Sequence, residues 1–268
     1  MTTGALIFAY DNENIDYLSM AAWSADNIRR HLGIPVAVVT DVETDTLKKF
    51  DKVIINRRRS DSSTRNFSDA GFITWHNTNR MDAYNLTPWD RTLLLDADYV
   101  VSSNDLRKVL EADQDLLCHQ TAYDISSQND FSGLNYFGAH RMPMWWATVV
   151  MFRKSQHAQL IFESMSMIRD HWKHYVNIYR TGNSVYRNDH SLTIALGIVS
   201  GHTMDHPSIP WSLASVLPEH TLSQIAQDHY RLDFVDSENR RRWIEIKNQD
   251  FHAMGKKHLG DIVAKHIA

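Results

Sequence analysis

Cysteine is almost absent from this 268-residue chain: Cys118 stands alone, so no intramolecular disulfide can form and the reducing cytoplasm is the default compartment. No apolar run approaches the roughly 20 residues that a transmembrane helix needs. Strong charge of either sign is missing too. Lys and Arg number 28 against 32 Asp and Glu, a formal net charge of -4 that gives no global push toward nucleic acid or membrane. Polyanion binding would therefore need local basic patches. The opening Met1-Thr-Thr-Gly has no basic n-region, and residues 5–9 read as a first strand and not as a signal peptide. Internal repeats, low-complexity tracts and a convincing linker are also lacking, which points to one α/β domain with an irregular C-terminal third. What is present is ordinary for a soluble enzyme, with 43% hydrophobic and 22% charged residues. Eight Trp and 15 His are many. Trp is chiefly a packing residue, but exposed Trp beside polar groups suits stacking on a sugar or base.

Along the chain, residues 5–9 form an apolar strand, and apolar positions at Leu18, Ala21, Ala22, Ala25, Ile28 and Leu32 predict a helix over 15–32 closed by Gly33. Strands at 35–39 and 52–56, with a short helix at 44–50 between them, complete a β-α-β-α-β pattern typical of a parallel sheet. Residues 57–75 read as a polar loop, 76–84 as a helix, 105–112 as a short helix and 115–119 as a strand. Residues 122–141 read as a long, lid-like loop. A strand at 145–152, a long helix over 156–179, a helix from 188 and a late strand at 228–235 follow.

The most informative stretch is Arg91-Thr-Leu-Leu-Leu-Asp-Ala-Asp-Tyr-Val-Val101. Leu93, Leu94 and Leu95 form the continuous apolar run of a strand buried on both faces. Asp96 and Asp98 fall where that strand ends, and open α/β sheets bind ligands just beyond the carboxyl ends of their strands. Two uncompensated carboxylates at the edge of a core are costly unless a cation neutralises them. Hard oxygen ligands suit Mg²⁺ or Mn²⁺, ions that often hold a diphosphate as well. The alternative is an Asp96 that caps a turn beside a solvated Asp98.

Four segments together resemble the GT-A fold of nucleotide-sugar-dependent glycosyltransferases, most closely the glycogenin-like, galactosyltransferase-like family 8. Ala9-Tyr10-Asp11, after the first strand, resembles the segment that holds uracil and ribose. Arg80-x-x-Ala83-Tyr84, running on to Asp96-Ala97-Asp98, resembles the family's basic residue, approach strand and metal-binding triplet. Asn188-Asp189-His190 opens a helix where the family usually reads Asp-Gln. Phe251-His252-Ala-Met-Gly255-Lys256-Lys257 resembles the C-terminal His-x-x-Gly-x-x-Lys. The resemblance implies a Rossmann-like, mostly parallel sheet flanked by helices, with a nucleotide-sugar half near 1–120 and an acceptor half near 121–268. It implies Mn²⁺ (or Mg²⁺) on Asp96, Asp98 and His252, a UDP-sugar donor, and retention of anomeric configuration. Ala9, Tyr10, Asp11, Arg80, Ala97, Gly255, Lys256 and Lys257 would bind the donor, and Asn188 and Asp189 would face the sugar. An imidazole ligand favours Mn²⁺ over Mg²⁺.

Plainer roles stay open for several of these residues. Arg80 could pair with Asp82 or Asp90, Asp189 could be the N-terminal acid of its helix, and Asp11 could form a turn. Asp41, at the end of the second strand, could reach the nucleotide. The strand at 145–152 lacks the family's Asn-x-Gly. His258 stands where the family lysine would, so Lys257 would have to replace it. An acceptor would lie near 122–141, Trp145 and Trp146, or 205–220 with Trp211.

A weaker resemblance, carried by Ile7-Phe-Ala-Tyr-Asp11 and Trp75-His-Asn-Thr-Asn-Arg-Met-Asp-Ala-Tyr84, is to glycosyltransferase-like proteins of tailed phages. It implies transfer from UDP-glucose or UDP-arabinose to 5-hydroxymethylcytosine in DNA, in the host cytoplasm. Arg57, Arg58 and Arg59, together with Arg240, Arg241 and Arg242, would supply the phosphate-backbone contacts, although each cluster also suits a solvated surface run. Lipopolysaccharide or another glycan is the alternative acceptor. A catalytically silent nucleotide-sugar-binding module is the alternative class. A sugar-1-phosphate nucleotidyltransferase is disfavoured, since residues 10–14 contain no glycine.

Overall fold

The computed structural model describes residues 1–56, 63–67, 71–182, 185–203 and 205–267. Strand β1 (Thr3–Phe8) leads into helix α1 (Tyr17–Leu32). Asp16 starts this helix by accepting the Ser19 N–H, and Gly33 ends it at φ 69°, donating its own N–H to Arg29. Only glycine takes that left-handed conformation without a Cβ penalty. Next come β2 (Val36–Thr40), a 3₁₀ turn at Asp45–Lys49 in place of the expected short helix, and β3 (Lys52–Ile55).

The predicted loop at 57–75 contains an antiparallel hairpin of β4 (Ser63–Phe67) and β5 (Gly71–Trp75). Its β-branched and aromatic residues are strand formers that the polar neighbours disguised. The helix expected over 76–84 shrinks to a 3₁₀ turn at Arg80–Asp82 and the single turn α2 (Ala83–Leu86). His76-Asn-Thr-Asn79 is a poor helix sequence, because short polar side chains compete for backbone hydrogen bonds.

β6 (Arg91–Leu95) then carries the buried leucines, followed by β7 (Tyr99–Val100), α3 (Leu106–Glu111) and β8 (Leu116–His119). Instead of a long lid, 122–143 holds β9 (Ala122–Asp124), a 3₁₀ turn at Ser132–Asn135, and a small hairpin of β10 (Tyr136–Phe137) and β11 (Met142–Pro143). The buried Asp124 carboxylate ties this region down by accepting from Ser126, Gln128 and Asn129. β12 (Trp146–Arg153) follows. The long helix splits at His171 into α4 (Gln156–Asp170) and α5 (Trp172–Tyr179), and α6 (Asn188–Val199) comes next. The C-terminal third is more regular than expected. β13 (Leu213–Val216) precedes an antiparallel meander of β14 (Thr221–Ala226), β15 (His229–Val235) and β16 (Arg241–Lys247), and then come β17 (Phe251–Ala253) and α7 (Lys256–Ile267).

The central sheet has the order β3-β2-β1-β6-β12-β8. β3, β2, β1 and β6 are parallel, while β12 runs antiparallel to both β6 and β8. This mixed, mostly parallel α/β sheet is the predicted fold class. Leu93, Leu94 and Leu95 are at most 1% exposed, as their apolar run requires. A second sheet, β7-β17-β13-β9, stands at the carboxyl end of β6. There His252 pairs with Tyr99, and the Ala253 N–H donates to the Asp98 carbonyl at 3.0 Å. This junction carries a residue from the end of the chain to the middle of the sheet's edge.

Candidate active site

Asp96 and Asp98 leave β6 in a tight turn in which the Tyr99 N–H donates to the Asp96 carbonyl, while the Asp96 N–H donates to Thr148. The turn is formed by Asp96's backbone, leaving its carboxylate free for another task. Asp98 is not solvated: it is 5% exposed. Its Oδ2 lies 3.3 Å from His252 Nε2 and is ion-paired with Lys256. The Asp96 carboxylate accepts from Arg80, which is 1% exposed and also donates to the Thr148 carbonyl. Arg80 therefore pairs with neither Asp82 nor Asp90 in the contacts seen, but holds the first aspartate against β12.

One cleft collects most of the predicted residues. Tyr10, Arg80, Asp96, Ala97, Asp98, Asn188, Asp189, His252 and Lys256 all line it. Asp189 sits in the first turn of α6, where the helix dipole favours an acid. Its Oδ1 accepts the Ala147 N–H at 2.8 Å and its Oδ2 lies 3.3 Å from Arg187. Asn188 donates to the Asn77 carbonyl at 3.0 Å. Gly255 is buried just behind the cleft; a Cβ there would come within 3.3 Å of Pro218 Cα, so glycine lets the chain pass close by and present Lys256.

Besides Gly255, three predicted donor contacts fall outside this lining. Ala9 is fully buried, with its N–H on Val39. Asp11 accepts the Leu18 N–H at 2.9 Å, the turn-forming role at the entry to α1. Lys257 is exposed, so Lys256 is the lysine turned to the cleft, and Asp41 is not part of the lining either. Of the two tryptophans, Trp146 lines the cleft while Trp145 is core at 1% exposure.

Sequence reasoning missed Asn77, Arg187 and Thr148, which also line the cleft. Arg187 had a faint signal, a cation directly before Asn188-Asp189. Asn77 and Thr148 had none. Buried polar atoms on residues of this lining that have no hydrogen-bond partner among the described residues include Asn77 Oδ1, Arg80 Nε, Trp146 Nε1, Arg187 Nε, Asn188 Oδ1 and His252 Nδ1. Buried polar groups are rarely left so, and a mixture of donors and acceptors suits a ligand rich in hydroxyls.

The donor set fits a divalent cation. Ligand atoms of Asp96, Asp98 and His252 all lie within 4.8 Å of one another. Groups bound to one ion at about 2.1 Å each stand no more than about 4.2 Å apart, so these three could share an ion with little movement. Burial pushes the His252 pKa down, keeping the imidazole neutral with a lone pair to give. Its Nδ1 is buried with no partner among the described residues. The positive charge facing the two carboxylates comes from Arg80 and Lys256, so an incoming cation competes with Lys256 for Asp98.

No family model matches the chain, and no curated protein matches it. Among solved structures, the galactosyltransferase LgtC in complex with donor and acceptor sugar analogs is similar at 14% identity, over 72% of this chain and 70% of that one, with a TM-score of 0.46. An active-site mutant of LgtC gives 12% identity, 72% and 69% coverage and a TM-score of 0.48. The glycosyltransferase GlyE of Streptococcus pneumoniae TIGR4 gives 12% identity and a TM-score of 0.45 over 78% of this chain. This chain spans just under half, 46%, of the GlyE chain.

Proposed function

We propose that the protein is a metal-dependent glycosyltransferase that moves a hexose or pentose from a UDP-sugar to a hydroxyl acceptor. The observation that carries this reading is the convergence of Asp96, Asp98 and His252 at the carboxyl edge of the sheet, with Lys256 beside them. A bound Mn²⁺ or Mg²⁺ would supply Lewis-acid neutralisation of the departing diphosphate. The chain's own residues supply the rest. Lys256 is placed to move from Asp98 to a phosphate oxygen, exchanging one charge-assisted bond for another. Arg80 fixes the orientation of Asp96, and its position on the cleft wall adds positive potential where the leaving group gains charge. Asp189, held by Ala147 and Arg187, presents a carboxylate toward the positive charge that develops on the sugar as its C–O bond breaks. Asn77, Trp146 and Asn188 offer unpaired donors and acceptors for the sugar hydroxyls. Tyr10 and Ala97 line the same cleft on the nucleotide side of the reading. Retention of configuration is the expected stereochemical outcome, read from the anomeric proton of the product.

A glycan acceptor is favoured over DNA by one observation. Arg240 and Arg242 both pair with Asp236 at 3.0 Å, and Arg240 also pairs with Glu238. These bonds hold the Asp236 carboxyl well below the usual range, the backbone N–H of Arg240 being the largest cause. The cluster's charge is largely spent within the meander. Arg57, Arg58 and Arg59 lie outside the described residues. The 5-hydroxymethylcytosine acceptor of phage DNA thus rests on sequence resemblance alone. No helix among the described residues is long and apolar enough to cross a membrane.

The test is UDP release from a panel of UDP-hexoses and UDP-pentoses with Mn²⁺, with glycans and hydroxymethylated DNA as acceptors and products read by mass. Mn²⁺-dependent release that vanishes in Asp98→Asn supports the reading. Mn²⁺-dependent UDP binding without release from any donor would instead make the chain a silent nucleotide-sugar-binding module.

A further inference from the structure

A second cleft, of about 420 Å³, opens at the other ends of β13 and β17, beside Leu213 and Asp250. The candidate active site lies beyond the opposite ends of these strands, at Pro218 and Met254. The volume falls within the range of small-molecule sites, about 300–1,000 Å³. His119, fully buried at the end of β8, is part of its wall. The Nδ1 of His119 lies 2.9 Å from the Trp211 carbonyl. A carbonyl can only accept, so Nδ1 carries the proton and Nε2 keeps a lone pair. That Nε2 has no partner among the described residues. His119, a residue of the wall, therefore keeps an unfilled acceptor just beneath the cleft surface, which a donating ligand would satisfy.

The rest of the lining narrows the chemistry. Trp211 is half-buried and meets His119 edge-on, and Tyr123 is 40% exposed with its hydroxyl accepting from Gln249 at 2.8 Å. Both rings belong to the lining and offer apolar surface there. The two carboxylates present do not call for a cation. Asp250 accepts the N–H groups of Ser102 and Ser103 at 2.7 Å each, and Asp105 pairs with Lys108 at 2.8 Å. No Lys or Arg is among the described lining residues, so no cationic side chain there offsets the charge of a phosphate or carboxylate ligand beside Asp105 and Asp250. A saccharide meets these requirements together: it donates hydroxyl hydrogens, presents an apolar ring face and bears no charge.

We infer that this cleft is a binding site for a neutral saccharide ring, stacked on Trp211 and donating a hydroxyl to His119 Nε2, separate from the proposed donor site. The test needs neither metal nor nucleotide, so its outcome is independent of the transferase reading. Glucose, galactose, lactose and maltotriose are titrated against the whole chain, with saturation-transfer NMR and Trp fluorescence as readouts. Saturable binding is expected, weakened by at least about tenfold in Trp211→Ala through loss of the stacking surface. Tyr123→Ala, at an exposed position that spares the fold, is expected to weaken it as well, with UDP binding unchanged in both. Absence of binding by all four sugars overturns the inference. So does equal binding by wild type and both variants, or binding of tetramethylammonium in place of sugar.

Discussion

Removing the guanidinium of Arg80 should destabilise the protein and make its stability depend more strongly on a divalent cation. The side chain is 1% exposed and spans from the Asp96 carboxylate to the Thr148 carbonyl. Arg80→Met would leave Asp96 beside Asp98 with Lys256 as the remaining cation seen in contact with the pair. Breaking a buried ion pair from one side costs about 3–5 kcal/mol. Asp96 keeps 29% of its side chain exposed, and water would screen part of that, so about 2–3 kcal/mol is expected. For a chain of this size the melting temperature should then fall by about 4–10 °C in the presence of a chelator. Arg80→Lys keeps the charge but reaches only one of the two partners, and should lose about half as much. A cation bound only to the folded state stabilises by about 2.7 kcal/mol at a hundred times its Kd. Saturating Mn²⁺ should therefore recover more in Arg80→Met than in wild type, because its charge replaces the missing partner of Asp96. Thermal unfolding followed by circular dichroism, with chelator and with Mn²⁺, reads all four conditions. A variant that melts within about 2 °C of wild type, or gains no more from Mn²⁺, refutes the reasoning.

Two further substitutions probe other parts of the account. Lys256→Met removes the group that competes with metal for Asp98, so Mn²⁺ alone should bind more tightly, while UDP in the presence of Mn²⁺ should bind about tenfold more weakly for want of a charge-assisted bond; calorimetry reads both, and unchanged UDP affinity would remove the lysine from the phosphate site. The pH dependence of stability should carry the mark of His119, whose pKa is lowered to about 4 by burial. The unfolded imidazole takes up a proton near pH 6.5 and the folded one refuses it. Stability is therefore full above that pH and lost as pH falls from about 6.5 toward 4, by up to about 3 kcal/mol from this residue. His119→Asn, whose amide can still donate to Trp211, should flatten the melting temperature across that window. An unchanged slope would show that His119 is protonated in the folded state.

The sheet and half of the site were legible in the sequence because they rest on local signals. The spacing of apolar residues from Leu18 to Leu32 and the glycine after them define α1, and the leucine run before Asp96 defines a doubly buried strand. The meander was largely missed because its strands have one wet face: in β15, Tyr230, Leu232 and Phe234 are buried while His229, Arg231 and Asp233 interrupt them. The split at His171 was hidden by an apolar pattern that continues on both sides of it. His252 was legible only through resemblance, since what brings it to Asp98 is the pairing of β17 with β7, some 150 residues apart in sequence. Arg80 was assigned to the site through resemblance, yet its partner, Asp96, was not the one its neighbours suggested. Asn77 and Thr148 reach the cleft through tertiary packing alone, and nothing in their local sequence marks them.

The central claim is that Asp96, Asp98 and His252 hold a cation that in turn holds a nucleoside diphosphate. Calorimetric titration of UDP, with and without Mn²⁺, into wild type and Asp98→Asn tests it most directly. The account predicts that UDP binds wild type only when Mn²⁺ is present, and that this dependence disappears in the variant. UDP binding that is indifferent to Mn²⁺, or that keeps its Mn²⁺ dependence without the Asp98 carboxylate, would contradict it.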